Sequence, residues 1–188
     1  MKTEVKTEST VMYVLRLALT LLAIAAVVAA LLAAVNSVTA PVIAQLNETR
    51  TQQAIEAVLP GGGQKADVPA VDAGAPVSEV YKGENGYAVK VAPSGFGGAI
   101  EMMVGVDNEG KVLGISIIRH AETPSLGAVA AAKGSAGENF RGSFAGLSGT
   151  VAVSKDGGEA DTISGATITS RAVAVGVNAA LAAAAAMG

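Results

Sequence analysis

The sequence predicts an α+β protein: one N-terminal membrane-crossing helix, then a small outer domain of antiparallel hairpins and short helices. Three observations carry this. A long uncharged run lies near the N-terminus, two pairs of β-rich segments flank Asn- and Gly-containing turns, and the chain ends in an alanine-rich helical pattern. The expected organisation is a cytoplasmic tail and anchor over residues 1–40, a helical stalk and Gly/Pro-rich linker over 41–76, and the outer domain over 77–188.

Leu17 to Val35, "LALTLLAIAAVVAALLAAV", holds no charge and a single hydroxyl, Thr20. At about 1.5 Å per residue the run nearly spans a hydrocarbon core of about 30 Å, and apolar neighbours at Val11–Leu15 and Val38 extend it. Thr20 is expected to return its hydroxyl to a carbonyl one turn back. A cleaved signal peptide is the rival reading. The run exceeds a signal core in length, and the small-residue site Val38-Thr39-Ala40 is followed by Pro41, a poor cleavage context. Lys2, Lys6 and Arg16 precede the span, whereas Arg50 and Lys65 lie farther along. The positive-inside rule therefore puts the N-terminus in the cytoplasm and the bulk of the chain outside.

Beyond the span, "NETRTQQAIEAVLP" is expected to be a helix capped by Asn47 and ended by Pro60, with Ile55, Val58 and Leu59 on one face. "GGGQKADVPAVDAGAP" has little periodicity and is expected to be linker or surface loop. "VSEVYKG" and "GYAVKVA" form a hairpin around Glu84-Asn85-Gly86, and "AIEMMVGVD" and "KVLGISIIR" a second around Asn108-Glu109-Gly110. "HAETPSLGAVAAAKG" reads as a loop and short helix, and "ENFRGSFAGL" as an amphipathic turn with Phe140 and Phe144 four apart. Residues 171–187 read as a domain-packing helix rather than a second span, being short and weakly hydrophobic.

Composition removes several functions. A net charge of −3 gives no basic surface for nucleic acid. Without cysteine there are no disulfides, thiolate sites or thiol nucleophiles, and one histidine, His120, is too few for a zinc or haem site. Redox chemistry would therefore need a borrowed cofactor. "GGGQK" lacks the second glycine and hydroxyl of a phosphate loop, and Gly95-x-Gly97 leads into a strand rather than the helix of a dinucleotide fingerprint. The latter reads better as a turn that lets something approach the backbone closely. "DGGEAD" lacks the ligand spacing of a calcium loop and reads as a solvated acidic turn. His120 has no nucleophile motif beside it and reads as a loop histidine, with a flavin contact as the minority reading.

The stretch "DTISGATITSR" (Asp161–Arg171) is dense in small hydroxyls and runs into the final helix. Side chains of this kind satisfy orphan N–H groups at a helix start, and Gly165 permits a sharp entry. First-turn amides also form an anion site suited to phosphate. A helix cap and an anion site both remain open here, and local physics does not single out Thr167 over Thr169.

The pattern D-x-x-S-G-A-T-x-T-S nevertheless resembles the flavinylation motif of the FMN-binding domain. That domain is shared by the G subunit of Rnf-type ion-translocating ferredoxin:NAD oxidoreductases and the C subunit of sodium-pumping NADH:quinone oxidoreductases. The segment "GFGGAIEMMVGVDNEGKVLGISIIRHAETPSLG" is similar to the family's glycine turn, hairpin and H-x-E-T-P-G-L-G loop, with Ser125 where that loop usually has glycine. "ENFRGSFAGL" resembles the short segment before the family's last strand. Together these cover about residues 77–180 and the anchor.

The resemblance implies that a flavin transferase attaches FMN covalently, through a phosphoester, to Thr167. Asp161, Ser164, Gly165 and Ala166 fill the other motif positions, with Thr169 and Ser170 beside them. It implies that Glu122, Thr123, Leu126 and Gly127 line the flavin ring. The implied function is that of an electron-carrying subunit of an Rnf-type complex in the cell membrane. Its partners would be the flavin and iron–sulfur subunits, and it would bind no NAD and pump no ions alone. The short chain favours the G subunit over the C subunit. A stand-alone extracytoplasmic FMN carrier and a flavin-free anchored binding module are the rival functions.

Overall fold

A computed structural model describes residues 10–71 and 73–188; Lys2 and Lys6, on which the orientation partly rests, lie outside the described residues. The chain divides into two compact units, up to Asn47 and Glu48–Gly188. The described residues of the first unit are all helix, belonging to α1 (Thr10–Val58). Its apolar stretch is long enough to cross a membrane, with a mean hydropathy of 2.8. Thr20 Oγ1 donates to the Arg16 carbonyl at 2.8 Å, as the position requires in an apolar setting. The expected cap at Asn47 does not form, because α1 passes through both Pro41 and Asn47 without a break. One proline removes one ladder bond, and the flanking Ala40, Ala44, Gln45 and Leu46 are strong enough helix formers to carry the helix past it.

The second unit is built on one antiparallel sheet in simple sequence order, β1 (Gln64–Ala66), β2 (Val77–Lys82), β3 (Gly86–Val91), β4 (Glu101–Asp107) and β5 (Val112–Arg119). The two expected hairpins are the β2–β3 and β4–β5 pairs, closed around Gly86 and Gly110. β1 lies inside the stretch expected to be loop. Three residues are too few to show a period, and this edge strand exists because it pairs with Tyr81 and its neighbours on β2.

Side-chain alternation gives the sheet two buried faces. Val80, Val89, Val91, Met102, Val104 and Val106 face the main core, which α3 (Thr167–Met187) covers with Val173, Val177, Ala180 and Leu181. Tyr81, Ala88 and Met103 face the other way, onto Ala54, Ile55 and Val58 from the end of α1 and Leu59 just after it. α3 is therefore a core helix, as expected from its weak hydropathy. α2 (Ser135–Gly142) closes one end, where Phe140 and Phe144 meet edge to face at 5.4 Å. Among the described residues no further strand follows α2; the segment after it makes one isolated bridge to the β4–β5 hairpin, Lys111–Ser148. The Asn178 amide on α3 holds that segment by pairing with both backbone groups of Val151 at 2.8 Å.

Candidate functional site: a cleft at the start of α3

Three loops converge on the N-terminal end of α3. The glycine turn after β3 is closed by a 2.8 Å bond from the Gly95 N–H to the Gly98 carbonyl. It approaches the loop after β5 so closely that a Cβ on Gly97 would stand 2.1 Å from the Ala121 carbonyl oxygen. The close partner expected of this turn is thus the chain's own Ala121–Glu122. Between them lies the Glu122 carboxylate, 7% exposed. Its Oε1 accepts the Gly97 N–H at 2.9 Å, and its Oε2 accepts the Thr169 hydroxyl at 2.5 Å. One buried carboxylate therefore ties the glycine turn, its own loop and the first turn of α3 together. Gly127 leaves room for this knot: a Cβ there would lie 2.3 Å from Glu122 Oε2 and 2.6 Å from Thr169 Oγ1.

The loop between them bends through Ser125, the one non-glycine residue with positive φ (62°) among the described residues. Ser125 adopts the left-handed conformation that glycine takes at no steric cost. His120 stands at the loop's entrance, where its Nδ1 accepts the Glu122 N–H at 3.2 Å.

The hydroxyl-rich stretch does not cap the helix. The N-cap position is Ala166, and no side chain bonds the first-turn amides there. The hydroxyls divide the work otherwise. Ser170 is fully buried, donates to the Ala166 carbonyl and accepts the Ile163 N–H, both at 3.0 Å, which locks the entry loop. Thr162 Oγ1 pairs with Ser154 Oγ at 3.0 Å. Thr169 is 1% exposed and committed to Glu122. Thr167, the first residue of α3, is half-buried, and its hydroxyl has no partner among the described residues.

These elements enclose a cleft of about 400 Å³. Of the residues expected to form a site, Glu122, Thr123, Leu126, Gly127, Gly165, Ala166, Thr167 and Thr169 line it. Asp161, Ser164 and Ser170 are not among its lining residues: Ser170 is buried, and Asp161 and Ser164 are exposed, Asp161 donating its N–H to Ser143 Oγ at 2.9 Å. Phe96, Ile168 and Lys155 also line the cleft and were not singled out from sequence. Phe96 is 67% exposed on the glycine turn, an aromatic whose position inside a glycine run was the available signal. Two depressions of similar volume occur elsewhere, at Pro60–Gln64 and at Gly146–Glu159, lined by glycines and polar turn residues. The cleft at α3 alone among the three joins an apolar lip, an unpartnered hydroxyl and a helix start.

Residues 95–182 match the FMN-binding domain family, so the cleft belongs to a flavin-binding class of protein. The chain is 36% identical to the G subunit of the Na(+)-translocating ferredoxin:NAD(+) oxidoreductase complex of Acetobacterium woodii, covering 95% of both chains. It is 36% identical to the G subunit of the ion-translocating oxidoreductase complex of Photorhabdus laumondii over 82% of each chain. The corresponding protein of Methanosarcina acetivorans is 34% identical over 82% of this chain and 85% of its own. The chain belongs to the family of G subunits of ion-translocating oxidoreductase complexes.

Proposed function

We propose that the chain is the electron-carrying G subunit of a multi-subunit ion-translocating oxidoreductase, holding FMN in the α3 cleft through a phosphoester to Thr167. The observation that carries this is the division of labour among the hydroxyls. Thr169 and Ser170 are buried and committed, whereas Thr167 opens into the cleft with its oxygen free. A nucleophile must be reachable, and Thr167 combines that with placement at the helix start.

The residues present suit the group. Phe96, Leu126 and Ile168 offer an apolar lip to a flat ring, while Gly165 and Ala166 keep the approach to Thr167 narrow in bulk. First-turn amides of α3, left without side-chain caps, face the developing charge of a phosphoryl group. A flavin held there supplies one- and two-electron chemistry that no side chain of this chain provides.

Attachment needs an activated donor, because a free phosphate monoester does not condense with an alcohol in water. A flavin phosphoanhydride meets the need: the Thr167 Oγ1–P bond forms as the anhydride P–O bond breaks. The hydroxyl proton passes to a base of the flavin transferase, and the nucleotide half leaves. The apolar stretch of α1 crosses the cell membrane once, with the N-terminus cytoplasmic and the cleft outside. There covalent attachment prevents loss of the cofactor.

Intact-mass and peptide mass spectrometry on protein from native membranes tests this. A gain of one FMN less water on the Thr167 peptide, absent in Thr167→Ala, is the expected result. An unmodified wild-type peptide from cells that contain a flavin transferase sinks the proposal. Co-purification of other redox subunits with the chain tests its place in a complex.

A further inference from the structure

We infer that Lys155 is the cation that binds the phosphoryl group at Thr167; the inference rests on the flavin occupying the α3 cleft. Among the described residues, only two that line the cleft carry charge, Glu122 and Lys155. The Glu122 carboxylate is buried and both its oxygens are taken, by Gly97 and Thr169. A phosphodiester brought in beside that carboxylate needs a counter-charge, and helix-end amides supply only about half an elementary charge. Lys155 is the full charge available.

Its surroundings fit that task. Lys155 sits on a short 3-10 turn, Ser154–Asp156, placed beside the start of α3 by three contacts. Ser154 Oγ pairs with Thr162 Oγ1 at 3.0 Å, and the Lys155 N–H donates to the same oxygen at 3.4 Å. Arg171, on α3, grips Asp156 with two bonds of 2.8 and 2.6 Å. The acid next to Lys155 in sequence is thereby occupied by a different cation. The Lys155 ammonium is left with no partner among the described residues while its backbone is fixed at the cleft. An unpaired ammonium on an anchored turn is poised for an anion, where a lysine on a free loop would lose more conformational freedom on binding.

The test uses the full chain in detergent with a flavin transferase and its flavin dinucleotide substrate. Lysine acylation by acetic anhydride is compared between the flavin-loaded wild type and the bare Thr167→Ala chain, with exposed Lys133 as internal reference. Lys155 should label at least about fivefold more slowly in the loaded chain, since acylation needs the free amine and pairing with the phosphoryl group holds the side chain as ammonium, with Lys133 unchanged. In parallel, Lys155→Ala should slow the appearance of the FMN mass increment about tenfold, and Lys155→Arg should keep most of the rate. Equal labelling of Lys155 in loaded and bare chains, or unslowed loading of Lys155→Ala, overturns the inference while leaving the flavin at Thr167. A wild-type chain that gains no mass at Thr167 overturns the flavin reading and this inference with it.

Discussion

Ser125 shows how a single residue records a constraint of the site. Its φ of 62° costs a side-chain-bearing residue about 1–2 kcal/mol, against about 0.5–1 kcal/mol of chain entropy that glycine loses on folding. Ser125→Gly should therefore raise stability by about 0.5–1 kcal/mol, read as a higher urea midpoint at unchanged slope. Glu79 offers a second test at this scale. Burial favours its neutral form, but hydrogen bonds from Tyr81 and Lys90, and the charges of Lys90 and Lys65, outweigh that and hold its carboxyl below 4.5. Burial and the same carboxylate push the Tyr81 phenol up to about 12. A lowered acid contributes stability above its unfolded pKa and loses it as pH falls; a raised phenol contributes below its unfolded value of 10.0 and loses it as pH rises toward 12. The stability profile should thus fall below about pH 4.5 and again between pH 10 and 12. Glu79→Gln should flatten the acid limb and bring the rise in tyrosinate absorbance to lower pH; an unchanged titration curve would contradict the pairing.

Among the elements, the packing of α1 on the sheet depends on one absent side chain. A Cβ on Gly105 of β4 would stand 2.3 Å from the Val58 carbonyl oxygen, a backbone atom that yields only if the helix end moves. Gly105→Ala should cost about 1–3 kcal/mol by denaturant unfolding. The Glu122 knot makes a comparable prediction for the cleft. Gly127→Ala drives a methyl between Glu122 and Thr169, so it should slow FMN loading as well as destabilise, whereas Gly105→Ala should destabilise with loading intact in the folded fraction. Sequence periodicity located β2 to β5 and α3 because each carries enough alternating or small apolar positions to show its period. It missed β1 and the continuity of α1. A three-residue strand exists only through its partner, and a proline rule counts a local cost that a long helix absorbs.

At the scale of the whole molecule, the second unit begins at Glu48, well before the strands. Ile55, Val58 and Leu59 fill the face of the sheet that bears Tyr81, Ala88 and Met103. A chain cut to 48–188 should fold, stay in the aqueous fraction and take up FMN, whereas 77–188 should lose its folded far-ultraviolet circular dichroism because that apolar face is laid bare. The anchor, the hairpins, the final helix and the loop around Glu122 were legible from residues 1–188, because hydropathy runs, turn chemistry and motif spacing are local properties of a chain. Three things were not local. Local physics left Thr167 and Thr169 equivalent, with only the motif resemblance pointing to Thr167, and packing separates them physically: the partner that buries Thr169 lies 47 residues away on another loop. Helix capping, the local reading of the hydroxyls, gave way to bonds with Glu122, Ala166 and Ser154. Lys155 and Phe96 reach the same cleft from segments far apart in the chain. The sequence by itself determined that a small hydroxyl-rich helix start follows an anchored sheet. Tertiary structure alone decided which hydroxyl stays free, because burial is set by whatever the fold brings against each side of a helix turn.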